Sequence, residues 1–366
     1  MSKKQVLFVG ELNKSLPQYK EFQEKYECID YTIISRDQLL LDLYTKYKDI
    51  YAIYGAWLGF MQIGGFREIL KYYKPKNLKI ISYCSVGYDH IDAKALSKKD
   101  IVMTNVPSDG AALPVADLVL FLTITSFRQF QMYSNQYTKV PYTIQLRYRL
   151  ANEPFDKEQG EVKLKPNGVI GYDFGEYLNK RPNLNPSGHR VVIIGFGQIG
   201  KLIGLKLSQL GMQVTYIKRN KLKSEEESKL DYKATYASSL NEAIDQGKVD
   251  LIVIACPLTH ETHHLLNSEI IDKIPNPFRI INIGRGPIID ESALLVGLKS
   301  GKILFAGLDV FETEPAINPE LIGRDDVYLT PHIGASTVEN FDYTAIEAMR
   351  NIDLVLQGNE AVNKVN

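Results

Sequence analysis

Residues 190–220, RVVIIGFGQIGKLIGLKLSQLGMQVTYIKRN, read as strand, glycine turn, helix, glycine turn and strand. That order belongs to a parallel βαβ unit, which constrains the chain to an α/β architecture. The β-branched run 191–194 fits a strand buried on both faces. Gly195, Gly197 and Gly200 then form GxGxxG. The first glycine turns the chain, the second lets a pyrophosphate approach the backbone, and the third lets the helix pack on the strand. With Gln198 and Ile199 opening the helix, its free amides make this a phosphate site. Apolar Leu202, Ile203, Leu205, Leu207 and Leu210 form the helical stripe, and Gly211 stops it.

About 20 residues past the first glycine an NAD site usually carries Asp or Glu for the ribose 2′-hydroxyl. This chain has Lys218, Arg219 and Asn220, and no carboxylate between Gly195 and Glu225. Cations at a strand end suit a 2′-phosphate, with which a guanidinium forms paired, charge-assisted hydrogen bonds. NADP(H) is therefore expected over NAD(H), with NAD(H) still usable. The plain alternative makes Lys218 and Arg219 solvated charges.

At 366 residues the chain is long enough for two cores. Lys plus Arg and Asp plus Glu number 43 each, so no global field gathers nucleic acid or an anionic membrane, and neither partner is expected. Cys28, Cys84 and Cys256 cannot all pair, which fits a reducing compartment. The N-terminal apolar run is strand-length, too short for a signal peptide, so the cytosol is expected. No metal is expected.

Short strand-like runs at 6–9, 31–34, 50–54, 79–83 and 101–104 alternate with helical or turn segments at 15–26, 36–48, 66–73 and 92–98. The apolar stretch 113–130 reads as a buried or interface helix. Asp117 and Arg128 bracket its short uncharged centre, which argues against a membrane span. Residues 131–189 are polar, rich in Tyr, Pro, Asn and Gly, and lack sustained periodicity; they are expected to be an insertion or extended connection, preferably a mobile surface loop, with a short hairpin or partner contact as the alternative. Strand-like runs resume at 250–254, 278–283, 303–310 and 327–330, and a final helix spans about 336–357.

Three of these late runs lead into a reactive side chain, where open α/β sheets bind ligands. They bring Arg285, then Asp309, Glu312 and Glu314, then His332. A guanidinium can hold a 2-oxo acid's carboxylate and polarise its carbonyl. A histidine can supply the proton as hydride arrives, with a carboxylate fixing its tautomer. Taken singly, Arg285 and Asp309 could instead form a structural ion pair, and His332 could be a satisfied turn histidine.

These stretches, with the fingerprint, resemble the D-isomer-specific 2-hydroxyacid dehydrogenase family over nearly the whole chain except 131–189. In NIGRGPIIDESAL the resemblance makes Arg285 the substrate-binding arginine and puts Ile283 and Gly284 at the cofactor. In LDVFETEP it makes Glu314 the histidine's partner and places Asp309 at the cofactor; in PHIG it makes His332 the acid/base, also against the cofactor. CPLT, with Cys256 and Pro257, resembles the turn beside the adenosine ribose. LKIISYCSVGYDHID resembles the substrate loop, in which amides around Ser85, Val86 and Gly87 form a nest for the carboxylate. The Ser-Val-Gly form with Asp89 and His90 is similar to glyoxylate and hydroxypyruvate reductases. Tyr54, Gly55, Trp57 and Leu58 could line the pocket, so small and larger 2-oxo acids both stay open.

The resemblance implies two doubly wound, Rossmann-like parallel-sheet domains around a cleft. Residues 1–112 plus 338–366 would form the substrate domain, and 113–337, carrying the insertion 131–189, the dinucleotide domain. It also implies a homodimer through the helix that begins near Leu113. A rival reading, a dinucleotide-sensing protein like the family's corepressor-like members, shares much of the same residue set.

Overall fold

The computed structural model describes residues 3–57, 59–60, 63–73, 76–88, 93–166 and 171–366. In chain order come β1 (Gln5–Val9), α1 (Pro17–Lys25), β2 (Glu27–Tyr31), α2 (Arg36–Tyr44), β3 (Ala52–Gly55), α3 (Arg67–Tyr72), β4 (Ile80–Tyr83), α4 (Ala93–Ser97), β5 (Val102–Thr104) and α5 (Asp109–Arg128). Next are α6 (Phe130–Asn135), α7 (Thr143–Ala151), β6 (Tyr177–Leu178), β7 (Arg181–Pro182), β8 (Arg190–Ile194), α8 (Gln198–Gln209), β9 (Gln213–Ile217), α9 (Ser224–Glu227), β10 (Ala234–Ala237), α10 (Leu240–Asp245) and β11 (Leu251–Ile254). The chain continues with α11 (Ser268–Lys273), β12 (Phe278–Asn282), α12 (Glu291–Ser300), β13 (Ile303–Leu308), β14 (Val327–Leu329) and α13 (Val338–Leu356).

Two compact units result, one from the chain up to Gly110 and again from Ser336 on, the other from Ala111–Ala335. In the first, a parallel sheet in the order β2-β1-β3-β4-β5 is covered on both faces. Leu39 and Leu43 of α2, Ile69 of α3 and Leu96 of α4 pack on one face; Tyr19 and Phe22 of α1 and Ala345, Ala348, Met349 and Ile352 of α13 pack on the other. The strand read at 31–34 lies earlier, at Glu27–Tyr31, and Ile34 is 84% exposed. As the sheet's edge, β2 is buried only at Tyr31, so its sequence lacks the apolar run of a central strand.

The second unit's parallel sheet runs β10-β9-β8-β11-β12-β13-β14. This is the doubly wound order, and its reversal lies between β8 and β11, where such sheets bind ligands. Val191 and Ile193 face α5 and α8, whereas Val192 and Ile194 face the opposite core with α10, α11 and α12. Each such buried aliphatic contributes about 1.5–3 kcal/mol. Among the described residues α5 alone is long and apolar enough to cross a membrane, yet Val119, Leu122 and Phe127 are buried against this sheet.

The insertion corrects the expectation of a surface loop. It carries α6, α7 and the β6–β7 hairpin around its own small core of Met132, Val140, Leu146, Leu150, Phe155, Val162 and Leu178. The Asn179 side chain donates to the Leu150 and Lys163 carbonyls and accepts from the Lys163 amide. Arg324, paired with buried Asp326 at 2.9 Å, donates to the carbonyls of Lys157 and Glu158. The Arg181 guanidinium lies 3.5 Å from the Phe155 ring centroid. Arg324, just before the edge strand β14, thereby ties the insertion to the nucleotide unit, while the other two contacts hold it together.

Candidate active site

At the sheet reversal Gly195 has φ +95°, and a Cβ there would lie 2.6 Å from the backbone of Ala255 and Cys256. A Cβ on Gly200 would lie 2.1 Å from the Gly195 carbonyl oxygen. Glycine is thus required at both positions for the turn and for the close approach of helix to strand. A Cβ on Gly197 would meet nothing within 4 Å, and no side chain caps the N-terminus of α8. An open backbone cradle at an uncapped twelve-residue helix fits a dinucleotide's pyrophosphate.

Across the reversal, the turn after β11 begins with buried Cys256 and exposed Pro257. Thr262 braces it, accepting from the Thr259 amide and donating to the Pro257 carbonyl. Lys218 and Arg219 follow the last residue of β9, partly and fully exposed respectively. The Lys218 charge helps hold the Glu226 carboxyl below its ordinary range, after the larger effects of the Lys223 amide and Lys201. Arg219 acts similarly on Glu261, behind the bonds that carboxyl receives from Thr259 and its own amide. Both cations therefore stand at the strand end, Lys218 towards α9 and Arg219 towards the turn after Cys256.

In the first unit, Ser85–Val86–Gly87 follows β4. Ser85 Oγ donates to the Gly87 carbonyl, Asn105 Nδ2 to the Val86 carbonyl, and the Val106 amide to the Ser85 carbonyl. All three loop carbonyls are held, whereas the amides of Val86 and Gly87 donate to no described residue. That polarity suits a carboxylate nest. Asn105, which sequence reasoning missed, anchors it. Trp57 is 42% exposed after β3, the strand that pairs with β4. Leu58, Asp89 and His90 lie outside the described residues.

Arg285, Glu314 and His332 all come from the second unit. Arg285 follows β12 in a turn braced by Asn282, whose side chain donates to the Arg285 carbonyl and accepts from the Gly284 amide. Arg285 Nη1 donates to the Gly284 carbonyl, and Ile283 is tied by its amide to Ile254 of β11. His332 Nδ1 lies 3.0 Å from Glu314 Oε2, and the side chains of both are 33% exposed. Burial alone would push the Glu314 carboxyl up. The His332 bond, the Phe311 amide and the charges of His332 and Arg285 outweigh it, holding that carboxyl below the usual glutamate value. With Glu314 ionised, Nδ1 must carry the proton of that bond, leaving Nε2 as the reactive nitrogen.

Asp309 is buried, and both its oxygens accept from the histidine's turn. Oδ1 takes the Thr330 hydroxyl at 2.6 Å and the Ile333 amide at 2.9 Å, and Oδ2 takes the Gly334 amide at 2.8 Å. It sets where His332 stands. Sequence reasoning set Glu312 with Asp309 and Glu314 among the reactive side chains at a strand end; the structure pairs it with His264 at 2.6 Å.

Residues 172–334 match the family model for the D-isomer specific 2-hydroxyacid dehydrogenase, NAD binding domain. Glyoxylate reductase 1 of Saccharomyces cerevisiae is 32% identical over 80% of this chain and 74% of its own length. D-mandelate dehydrogenase of Rhodotorula graminis superposes with a TM-score of 0.82 at 28% identity, over 100% of this chain and 98% of that one. A glyoxylate reductase from Paecilomyes thermophila does so at 0.80 and 25% identity, over 100% and 99%.

Proposed function

Because the chain belongs to the D-isomer specific 2-hydroxyacid dehydrogenase family, and hence to the enzymes that use a nicotinamide dinucleotide, we propose that it reduces a 2-oxo acid to the D-2-hydroxy acid, preferring NADPH to NADH. The observation that carries this reading is the His332–Glu314 pair with Arg285 close enough for its charge to act on Glu314. The bound dinucleotide supplies the hydride.

The remaining work falls to the chain's own groups. The glycine turn and the α8 N-terminus, with Gln198 and Ile199, hold the pyrophosphate, while Cys256, Pro257, Ile283, Gly284 and Asp309 frame the rest of the cofactor. Lys218 and Arg219 hold the 2′-phosphate. Arg285 binds the acid's carboxylate and polarises its 2-oxo group; within the first unit, the amides of Ser85, Val86 and Gly87 form a nest that suits a carboxylate. His332 holds at Nε2 the proton that passes to the 2-oxo oxygen. A positioned acid of this kind is worth about 10²–10⁴-fold in rate.

Substrate size is open between glyoxylate or hydroxypyruvate and a larger acid. Initial rates with NADPH and NADH over glyoxylate, hydroxypyruvate, pyruvate, 2-oxoisocaproate, phenylpyruvate and benzoylformate test the reading. Turnover of any of these acids supports it; no turnover despite tight NADPH binding overturns it in favour of a sensor.

We also place a homodimer contact on α5, where Leu113 and Phe121 are exposed and Phe121 lines a cavity of about 670 Å³ with Ile124, Phe130 and Tyr328. A monomeric mass by light scattering at micromolar concentration would remove it. Three unpaired thiols support a reducing compartment such as the cytosol.

A further inference from the structure

Beside the Arg285 turn lies a cluster of titratable groups that the proposed chemistry does not use. His264 Nε2 is 2.6 Å from Glu312 Oε1. Glu312 Oε2 accepts from the amide of Glu291 at 3.0 Å, and Glu291 Oε1 accepts from the amide of Glu312 at 2.9 Å. Glu291 is 7% exposed. Two carboxylates that exchange backbone bonds in so enclosed a place repel each other unless positive charge faces them. Here the positive end of the ten-residue α12 faces them, and the His264 ring bonds to Glu312.

The segments joined are those that carry the reactive groups. The His264 amide donates to the Pro287 carbonyl, two residues past Arg285. Gly286 lies so close to Phe311 that a Cβ on it would overlap the Phe311 carbonyl at 1.8 Å. The Phe311 amide donates to Glu314 Oε1, whose other oxygen holds His332. Glu312 thus sits between Phe311 and Glu314 and clamps their loop to the Arg285 turn.

Resting on the proposed function, we infer that Glu312 is a positioning residue, with His264 as its hydrogen-bond partner, that fixes the reach between the Arg285 guanidinium and the Glu314–His332 pair. A substrate held at one end by Arg285 and protonated at the other by His332 is sensitive to that reach, since misplacement by about 1 Å can lower a rate about 100-fold.

The test compares wild type, Glu312→Ala, Glu312→Gln and His264→Gln. Each is measured for kcat and KM with the best acid of the panel, for NADPH affinity by fluorescence, for affinity of the NADPH-loaded protein for oxamate, and for melting temperature. In Glu312→Ala we expect kcat/KM to fall about 10- to 100-fold and oxamate to bind about tenfold more weakly, with NADPH affinity within about twofold of wild type. Glu312→Gln, which keeps an acceptor for the Glu291 amide, recovers most of the loss. If Glu312→Ala does not fold, His264→Gln must show the same split.

Unchanged oxamate affinity, an equal loss of NADPH affinity, or Glu312→Gln no better than Glu312→Ala overturns the positioning role. A wild type that reduces no acid yet binds oxamate about tenfold tighter than Glu312→Ala refutes the proposed function and leaves this role standing.

Discussion

His332 reaches Glu314 at 3.0 Å from a backbone with φ +55°, the left-handed region that most side chains avoid. Asp309 holds the turn there by accepting from Thr330, Ile333 and Gly334. The imidazole therefore takes its place from two carboxylates, one fixing the backbone and one the ring. Such strained backbone persists where the surroundings over-determine it, commonly at functional sites.

Glu314→Gln keeps the side-chain shape and removes the charge. Reduction should lose about 100-fold in kcat with little change in NADPH affinity. A kcat equal to that of wild type would remove Glu314 from the proton path.

Arg285→Ala should raise KM for the 2-oxo acid and lower kcat, together costing about 10³-fold or more in kcat/KM, because a bidentate, charge-assisted contact and the carbonyl's polarisation are lost together. NADPH titration should be unaffected. Full activity in this variant would assign the acid to other groups.

Replacing both Lys218 and Arg219 by alanine should lower the NADPH-over-NADH ratio of kcat/KM about 10- to 100-fold, the worth of one or two hydrogen bonds to a charged group. An unchanged ratio would make both residues ordinary solvated charges.

Asp250 provides a pH-dependent test of stability. Its side chain is 8% exposed and faces the Arg190 amide at 3.0 Å, His189 Nδ1 at 3.1 Å and Lys248 Nζ at 3.0 Å. Burial alone would raise its carboxyl; those donors hold it below the ordinary aspartate value. A carboxyl lowered on folding contributes stability above its unfolded value of about 3.9, and the contribution is lost as pH falls through the folded value. Asp250→Asn should cost about 1–3 kcal/mol at pH 7, and its gap to wild type in denaturation midpoint should narrow on acidification below about pH 4. A constant gap would show that the charge contributes nothing.

The interior of both sheets was legible because central parallel strands such as Val191–Ile194 are buried on both faces and appear as unbroken apolar runs. The edges were not. β2 was read several residues late, and β10, with only Ala237 buried, went unread. The insertion's core escaped notice because seven side chains gather from helices, turns and a two-residue hairpin strand, with no single period to betray them. The proposed catalytic residues stood out by their place at strand ends. Their supports did not: the His264–Glu312 bond joins residues 48 apart in sequence, and Asn105 acts through a carbonyl on another strand's loop. Such pairings exist only once the fold has brought the segments together.

Helix α13 lies beyond the whole nucleotide unit in sequence, yet Ala345, Ala348, Met349 and Ile352 are buried among the strands of the first unit. During synthesis the first sheet must wait, with one apolar face covered only by α1, until more than two hundred further residues have left the ribosome. The second unit has no such debt and can close as soon as its own strands are made. Nascent chains halted before residue 338 should therefore hold a protease-resistant nucleotide unit and a first unit still open to chaperones.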